Sequence, residues 1–301
     1  MRHLLLCLAC LLTLAACGYV PTAKSGADDP LLFDAGEVAR ADKIAVFIPG
    51  ALSSIDVFEG SRFWEDAGYA RAFYRYPGLD GMAIDHHVDP ATAAARITAF
   101  ANRYPDKDIA LVGYSTGGLI ALEAAADMTK GRRVHVAAMS TAVEYGGGVS
   151  TIARGARDIL RAVVATKSVR KADIWKRYWS GLLFGPDALD NPQLAAPLAQ
   201  KIAEGEKIYV KLNPQIAIAH ALALPGWELP SDLDLTGVDT AFFIGLNDPV
   251  FSTAQTTAFA AQIGGVPVYG YPGQGHLLFF TRPDVFRDML QFAEGEDPLI
   301  P

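Results

Sequence analysis

The stretch "IALVGYSTGGLIALEAAAD", residues 109–127, holds one hydroxyl, Ser115, between Gly113 and Gly117 where strand formers give way to helix formers. Glycines at those two places let a strand turn sharply into a helix, which lifts the serine above a sheet edge in the setting of a nucleophile. A serine hydroxyl attacks poorly at neutral pH unless a base takes its proton, and the base needs an acid to orient it. The chain has six histidines. His3 lies at the extreme amino end, His135 in a strand pattern, His86 and His87 in a loop ahead of the serine, and His220 in a region broken by prolines. His276, in "GQGHLLFF", follows the last strand pattern and has glycines on its amino side that let the backbone bring an imidazole to the sheet edge. Asp248, in "FFIGLNDPVF", ends the preceding strand pattern at the same edge, with Glu144 and Asp239 as alternative acids. The chain order is then Ser115, Asp248, His276. Asp85, His86, His87 and Asp89 form a cluster with metal-ligating side chains, but no further ligands join it, and no metal or cofactor is assigned.

Strand patterns at 43–50, 70–78, 108–115, 132–140, 239–248 and 266–273 alternate with helix patterns at 116–127, 252–262 and 284–293 and one capped by Asp89 with Pro90 in its first turn. That alternation predicts an α/β fold, a mostly parallel sheet flanked by helices. Residues 142–230 break the rhythm, with helical patterns at 149–164 and 170–184 and prolines thereafter, and read as a helical cap between the two halves of the core, 41–141 and 231–301. Within the cap, Trp175, Tyr178, Trp179 and Leu182 share one helical face, a stripe that either packs a core or walls an apolar pocket. Leu52, Tyr114 and Leu277 are further candidate substrate contacts. Residues 154–177 carry eight Lys or Arg against two Asp, a solvated face or a surface for an anionic membrane or substrate.

The 301-residue chain is 51% hydrophobic with a formal charge of −7, which suits one large core and speaks against nucleic acid as a partner. No phosphate-binding loop, dinucleotide fingerprint or internal repeat is present, and Cys7 and Cys10 lie within the amino-terminal stretch that reads as a removable signal, so they offer no zinc site to the mature chain. At the amino end, "MRHLLLCLACLLTLAAC" has a basic start, an apolar run and small residues before Cys17, the layout of a secretory signal. Leu14-Ala15-Ala16-Cys17 resembles the lipobox of bacterial lipoproteins. That resemblance implies removal of residues 1–16, acylation of Cys17, a lipidated tether over 17–40, and residence in the outer membrane of a double-membraned bacterium. An ordinary cleaved signal is the plainer reading.

Gly113-Tyr114-Ser115-Thr116-Gly117 and the order Ser, Asp, His resemble the α/β-hydrolase superfamily, specifically its serine lipases and esterases. The resemblance spans about residues 40–295. It implies an oxyanion hole built from the N–H of Thr116 and an N–H in the loop "IPGALSS", Ala51 or alternatively Leu52. Many relatives have His-Gly where this chain has Pro49-Gly50. The expected activity is hydrolysis of a carboxylic ester with an apolar acyl group, such as a monoacylglycerol or lysophospholipid, through an acyl-enzyme and without a cofactor. The alternatives are amide, thioester or carbon–carbon cleavage on the same three side chains, or a non-catalytic lipoprotein that binds a lipid or a protein.

Overall fold

The computed structural model describes residues 29–128, 131–143, 171–208, 214–220, 227, 230 and 233–298. Seven strands form one sheet: β1 (Leu31–Phe33), β2 (Lys43–Ile48), β3 (Tyr69–Tyr74), β4 (Asp108–Tyr114), β5 (Val134–Met139), β6 (Val238–Gly245) and β7 (Val268–Tyr271). Their spatial order is β1-β3-β2-β4-β5-β6-β7, and every pairing is parallel except β1 with β3. The inner strands are buried on both faces, as "KIAVFI", "DIALVGY" and "VHVAAM" require, because a strand covered on two sides has no polar face to show.

The described residues also hold nine α-helices, α1 (Ala35–Arg40), α2 (Pro90–Ala101), α3 (Thr116–Ala126), α4 (Lys171–Phe184), α5 (Ala195–Ile208), α6 (Pro214–His220), α7 (Thr253–Gln262), α8 (Leu278–Thr281) and α9 (Val285–Ala293), and 3₁₀ helices at Ile55–Trp64, Ala188–Asp190 and Pro192–Leu194. Two apolar clusters cover the sheet's faces. One packs α2, α3 and α6 against β2–β5 through residues such as Ile97, Phe100, Leu119, Ile120 and Ile216. The other packs α8, α9 and the end of α4 through Leu183, Phe279, Phe286 and Met289. Asp89 caps α2 by accepting from the Thr92 N–H at 3.1 Å, with Pro90 opening the helix as its sequence pattern predicts.

One expectation needs correction. The segment read as a tether up to residue 40 contains β1 and α1, so the folded domain starts at about residue 30, with Leu31 pairing Tyr74 and Val38 fully buried. The proline-containing part of the cap, to which no helical pattern is assigned from sequence, holds two further helices, α5 and α6. The helical pattern at 149–164, with Arg154, Arg157 and Arg161, and Cys17 both lie outside the described residues.

At the strand-to-helix corner between β4 and α3, backbone packs directly on backbone. A Cβ on Gly113 would stand 2.3 Å from the Gly117 carbonyl oxygen, and one on Gly117 would stand 2.0 Å from the Ile48 oxygen. Only backbone opposes these positions, so no side chain can yield. Gly117→Ala is therefore expected to lower the melting temperature by roughly 10 °C or more, or to prevent folding. Gly181→Ala in α4, where the nearest atom to a new Cβ is 3.9 Å away, should be neutral or stabilise by about 0.5–1 kcal/mol. Thermal denaturation followed by circular dichroism checks both.

Candidate active site

Ser115 joins β4 to α3 with φ 52° and ψ −121°, a conformation that costs a non-glycine residue energy and persists only where its surroundings hold it. Three contacts do so. Its N–H donates to the Met139 oxygen at 2.8 Å, its carbonyl accepts from the Gly118 N–H at 2.9 Å, and Thr141 Oγ1 lies 2.7 Å from the same carbonyl. Thr141 follows β5, so the neighbouring strand buttresses the bend.

Asp248 and His276 lie beyond the carboxyl ends of β6 and β7. The Asp248 Oδ2 is 2.8 Å from His276 Nδ1, while its Oδ1 accepts from the N–H groups of Val250 at 2.7 Å and Phe251 at 3.1 Å. Both carboxylate oxygens are thus satisfied, and the side chain is only 1% exposed. A carboxylate fixed in this way holds Nδ1–H and leaves Nε2 as the ring's basic atom. The His276 ring sits 5.3 Å from the Tyr114 ring, whose residue precedes Ser115, and 5.9 Å from Phe251. Of the alternative acids, Asp239 is at the amino end of β6, at the opposite edge, 3.5 Å from His135. Glu144 lies outside the described residues.

The loop carrying His276 is clamped by the cap. The last carbonyls of α4, which have no partner within the helix, accept instead from that loop. Leu183 takes the Gly275 N–H at 2.9 Å and Leu182 takes the Leu277 N–H at 3.0 Å. Gly275 is required there, since a Cβ would meet the Leu182 oxygen at 2.4 Å. Asn247 adds its side-chain N–H to the Phe184 carbonyl at 3.2 Å.

On the other side of Ser115 is the loop after β2. Gly50 packs against the Ser115 Cβ, leaving Ala51 and Leu52 beside the bend. Among the described residues the Ala51 N–H has no protein acceptor. The Leu52 N–H does: it donates to His220 Nδ1 at 3.0 Å, so of the two loop donors the resemblance suggested, Ala51 is the one left open.

The remaining candidates are placed as follows. Tyr114 is 3% exposed, packed between His276 and Phe279, and presents little surface to a ligand. Leu277 is buried in the same cluster, and Trp179 packs half-buried on its edge, but Tyr178 of the same stripe faces outward. The Trp175 side chain lies outside the described residues. His86 pairs with Asp85 at 2.5 Å and Asp89 is spent on its helix cap. Among the described residues no three His, Cys, Asp or Glu side chains converge as a metal site. Sequence reasoning passed over Thr141, Tyr76 and His220. The burial of His220, though not its bonding, was signalled, because Ile216, Ala219 and His220 fall at the i, i+3, i+4 spacing of a buried face.

A family model described as "Alpha/beta hydrolase family" matches residues 45–289. The chain belongs to that family. Among solved structures, this α/β hydrolase is similar in fold to BpoC from Mycobacterium tuberculosis H37Rv, with 17% identity, a TM-score of 0.64, and coverage of 91% of this chain and 97% of that one. A thermophilic esterase from Thermogutta terrifontis gives 16%, 0.63, 85% and 90% for the same quantities. An enol-lactonase from Burkholderia xenovorans LB400 gives 15%, 0.61, 88% and 96%. At such identities the likeness speaks for the fold alone. No functionally curated protein matches the chain in sequence.

Thr141→Val keeps the side chain's shape and removes the hydroxyl against the Ser115 carbonyl. Because that carbonyl retains the Gly118 N–H, a loss of about 1 kcal/mol is expected, read as a lowered urea midpoint with an unchanged slope.

Proposed function

We propose that this α/β hydrolase cleaves carboxylic esters through an acyl-enzyme on Ser115. The observation that carries the reading is the buried Asp248–His276 pair, held at 2.8 Å with its imidazole 5.3 Å from the ring of Tyr114, the residue before a serine whose backbone is strained into the bend. Ser115 Oγ attacks the ester carbonyl while His276 Nε2 accepts the hydroxyl proton, and Asp248 orients the ring and stabilises the imidazolium. The tetrahedral oxyanion receives the N–H groups of Thr116 and Ala51. Collapse breaks the bond to the leaving alcohol, which takes the proton from Nε2. Water then attacks the acyl-enzyme with His276 again accepting a proton, and collapse returns that proton to Ser115 as the acid departs. No step calls for a cofactor.

An apolar acyl group is the substrate class that the surroundings favour. Leu277 to Phe280, immediately after the base, are all buried with Leu182, Leu183 and Phe184 of α4 and the half-buried Trp179 in one apolar cluster. A monoacylglycerol or lysophospholipid presents such a chain beside an ester. The lipobox-like run before Cys17 supports attachment of the mature protein to a membrane, where such substrates reside.

A fluorophosphonate should modify Ser115 in the folded protein, as located by mass spectrometry, and Ser115→Ala should abolish the adduct. Adduct on another residue, or none, would remove the enzyme reading. Asp248→Asn should lower kcat on a p-nitrophenyl ester by about 10³- to 10⁴-fold with the protein still folded, because the ring loses its orienting acceptor. A panel of ester, amide and thioester leaving groups at constant acyl chain should favour the ester, and preference for another bond would reassign the reaction on the same residues.

Cys17→Ser should move the protein from the membrane fraction to the soluble one in a host that acylates lipoproteins. Unchanged partitioning argues for an ordinary cleaved signal.

A further inference from the structure

His220 is 3% exposed and belongs to none of the catalytic roles above, yet both of its ring nitrogens are engaged. Nδ1 accepts from the Leu52 N–H at 3.0 Å and Nε2 lies 3.0 Å from the Pro77 carbonyl oxygen. A carbonyl can only accept and an N–H can only donate, so the two bonds together define a neutral ring with its proton on Nε2. Leu52, whose N–H this ring holds, has φ 64°, a left-handed conformation that a bulky residue seldom adopts and that needs outside support. Leu52 is next to Ala51 in the chain, and the peptide between them joins the held N–H to the residue whose own N–H would meet the oxyanion.

From these observations we infer that His220, carried by cap helix α6, is the positioning residue of the oxyanion loop: by accepting the Leu52 N–H it fixes the direction of the Ala51 N–H. The inference rests on the ester-hydrolase reading and deepens it. It also accounts for the Pro49-Gly50 sequence, since support for the loop comes here from a distant helix rather than from a side chain in the loop.

The surroundings keep this ring in place and uncharged. The Tyr76 ring packs edge-on against it at 5.4 Å and donates its hydroxyl to the Pro49 carbonyl at 2.8 Å, so the same loop is held at its other end. Helix α6 is itself docked: the Ala219 carbonyl accepts from the Val88 N–H at 2.8 Å, and Ile216 and Ala219 are buried. Burial pushes the His220 pKa below its ordinary value, with His86 adding to the shift and the Pro77 carbonyl opposing it. A neutral ring is what acceptance at Nδ1 requires.

Two side chains separate the two bonds of this ring. In His220→Asn the amide oxygen takes approximately the place of Nδ1, so the Leu52 bond survives and the Pro77 bond is lost. In His220→Gln the longer amide reaches toward Pro77 and leaves nothing at Nδ1. With p-nitrophenyl butyrate, His220→Gln should lower kcat about tenfold or more with KM within about twofold, less than the 10²- to 10³-fold that follows removal of a donor outright. The inhibition constant of an alkyl trifluoromethyl ketone, whose hemiketal places an oxyanion in the same site, should rise by a similar factor. His220→Asn should restore most of both.

Equal losses in the two variants, losses confined to KM, or no loss in either would overturn the inference while leaving the ester-hydrolase reading intact. If the wild-type protein neither turns over the ester nor forms the Ser115 adduct, that reading falls and this inference falls with it. Should neither variant fold, the wild-type protein supplies the test through the ¹⁵N resonances of its imidazoles. The His220 Nδ1 resonance should report an unprotonated acceptor and should shift when the trifluoromethyl ketone binds. A protonated Nδ1, or a resonance indifferent to the ketone, would overturn it.

Discussion

Backbone packed directly on backbone at the β4–α3 corner is the constraint from which the rest of this structure follows. With no side chain at Gly113 or Gly117, the first turn of α3 approaches the end of β2 so closely that the carbonyls of Ile48 and Pro49 fill the space a Cβ would need. That approach does two things at once. It accommodates the positive φ of Ser115, and it brings the loop that begins at Pro49 alongside the serine. A nucleophile and its oxyanion donors must be within about 3 Å of one reacting group, and the shared backbone contact supplies that proximity before any side chain is chosen.

The Asp248–His276 pair depends on a different support, and the cap provides much of it. The Asp248 carboxylate is oriented by its own turn, through the Val250 and Phe251 N–H groups. The loop of His276 turns on the Gln274 N–H to the Tyr271 carbonyl, accepts from the Asn247 N–H, and also donates to the unpaired carbonyls at the end of α4. The oxyanion loop likewise leans on α6. Both loops flanking the serine are therefore tied to the insertion, one to each of two cap helices. An insertion bonded in this way helps to hold the arrangement of the candidate site.

Legibility in the sequence followed the length and periodicity of each element. The six parallel strands could be read because apolar runs such as "KIAVFI" and "DIALVGY" are unbroken, as burial on both faces demands. The edge strand β1 could not, because three residues carry no period. Helix α5 was hidden by prolines that proved harmless: Pro192 opens a short 3₁₀ turn ahead of the helix, and Pro197 falls in its first turn, where no N–H is required. Ser115, Asp248 and His276 were legible because each ends a recognisable strand. Thr141 and His220 were not, because their significance comes from which backbone group each one meets, and that meeting is a property of the tertiary fold.

The same connections limit how a substrate can enter. A swing of α4 as a rigid body would have to break the bonds from Leu182 and Leu183 to the His276 loop and the bond from Asn247 to Phe184, or else carry the base away from the serine. At about 0.5–1.5 kcal/mol for each hydrogen bond, plus the apolar area that Leu182, Leu183 and Phe184 keep from water, detachment is a costly route to opening. Movement of α6 would release Leu52 from His220 and slacken the oxyanion loop. The carboxyl end of α4 and the helix α6 are thus fixed points. On the ester-hydrolase reading, access to Ser115 has to leave both of these connections in place.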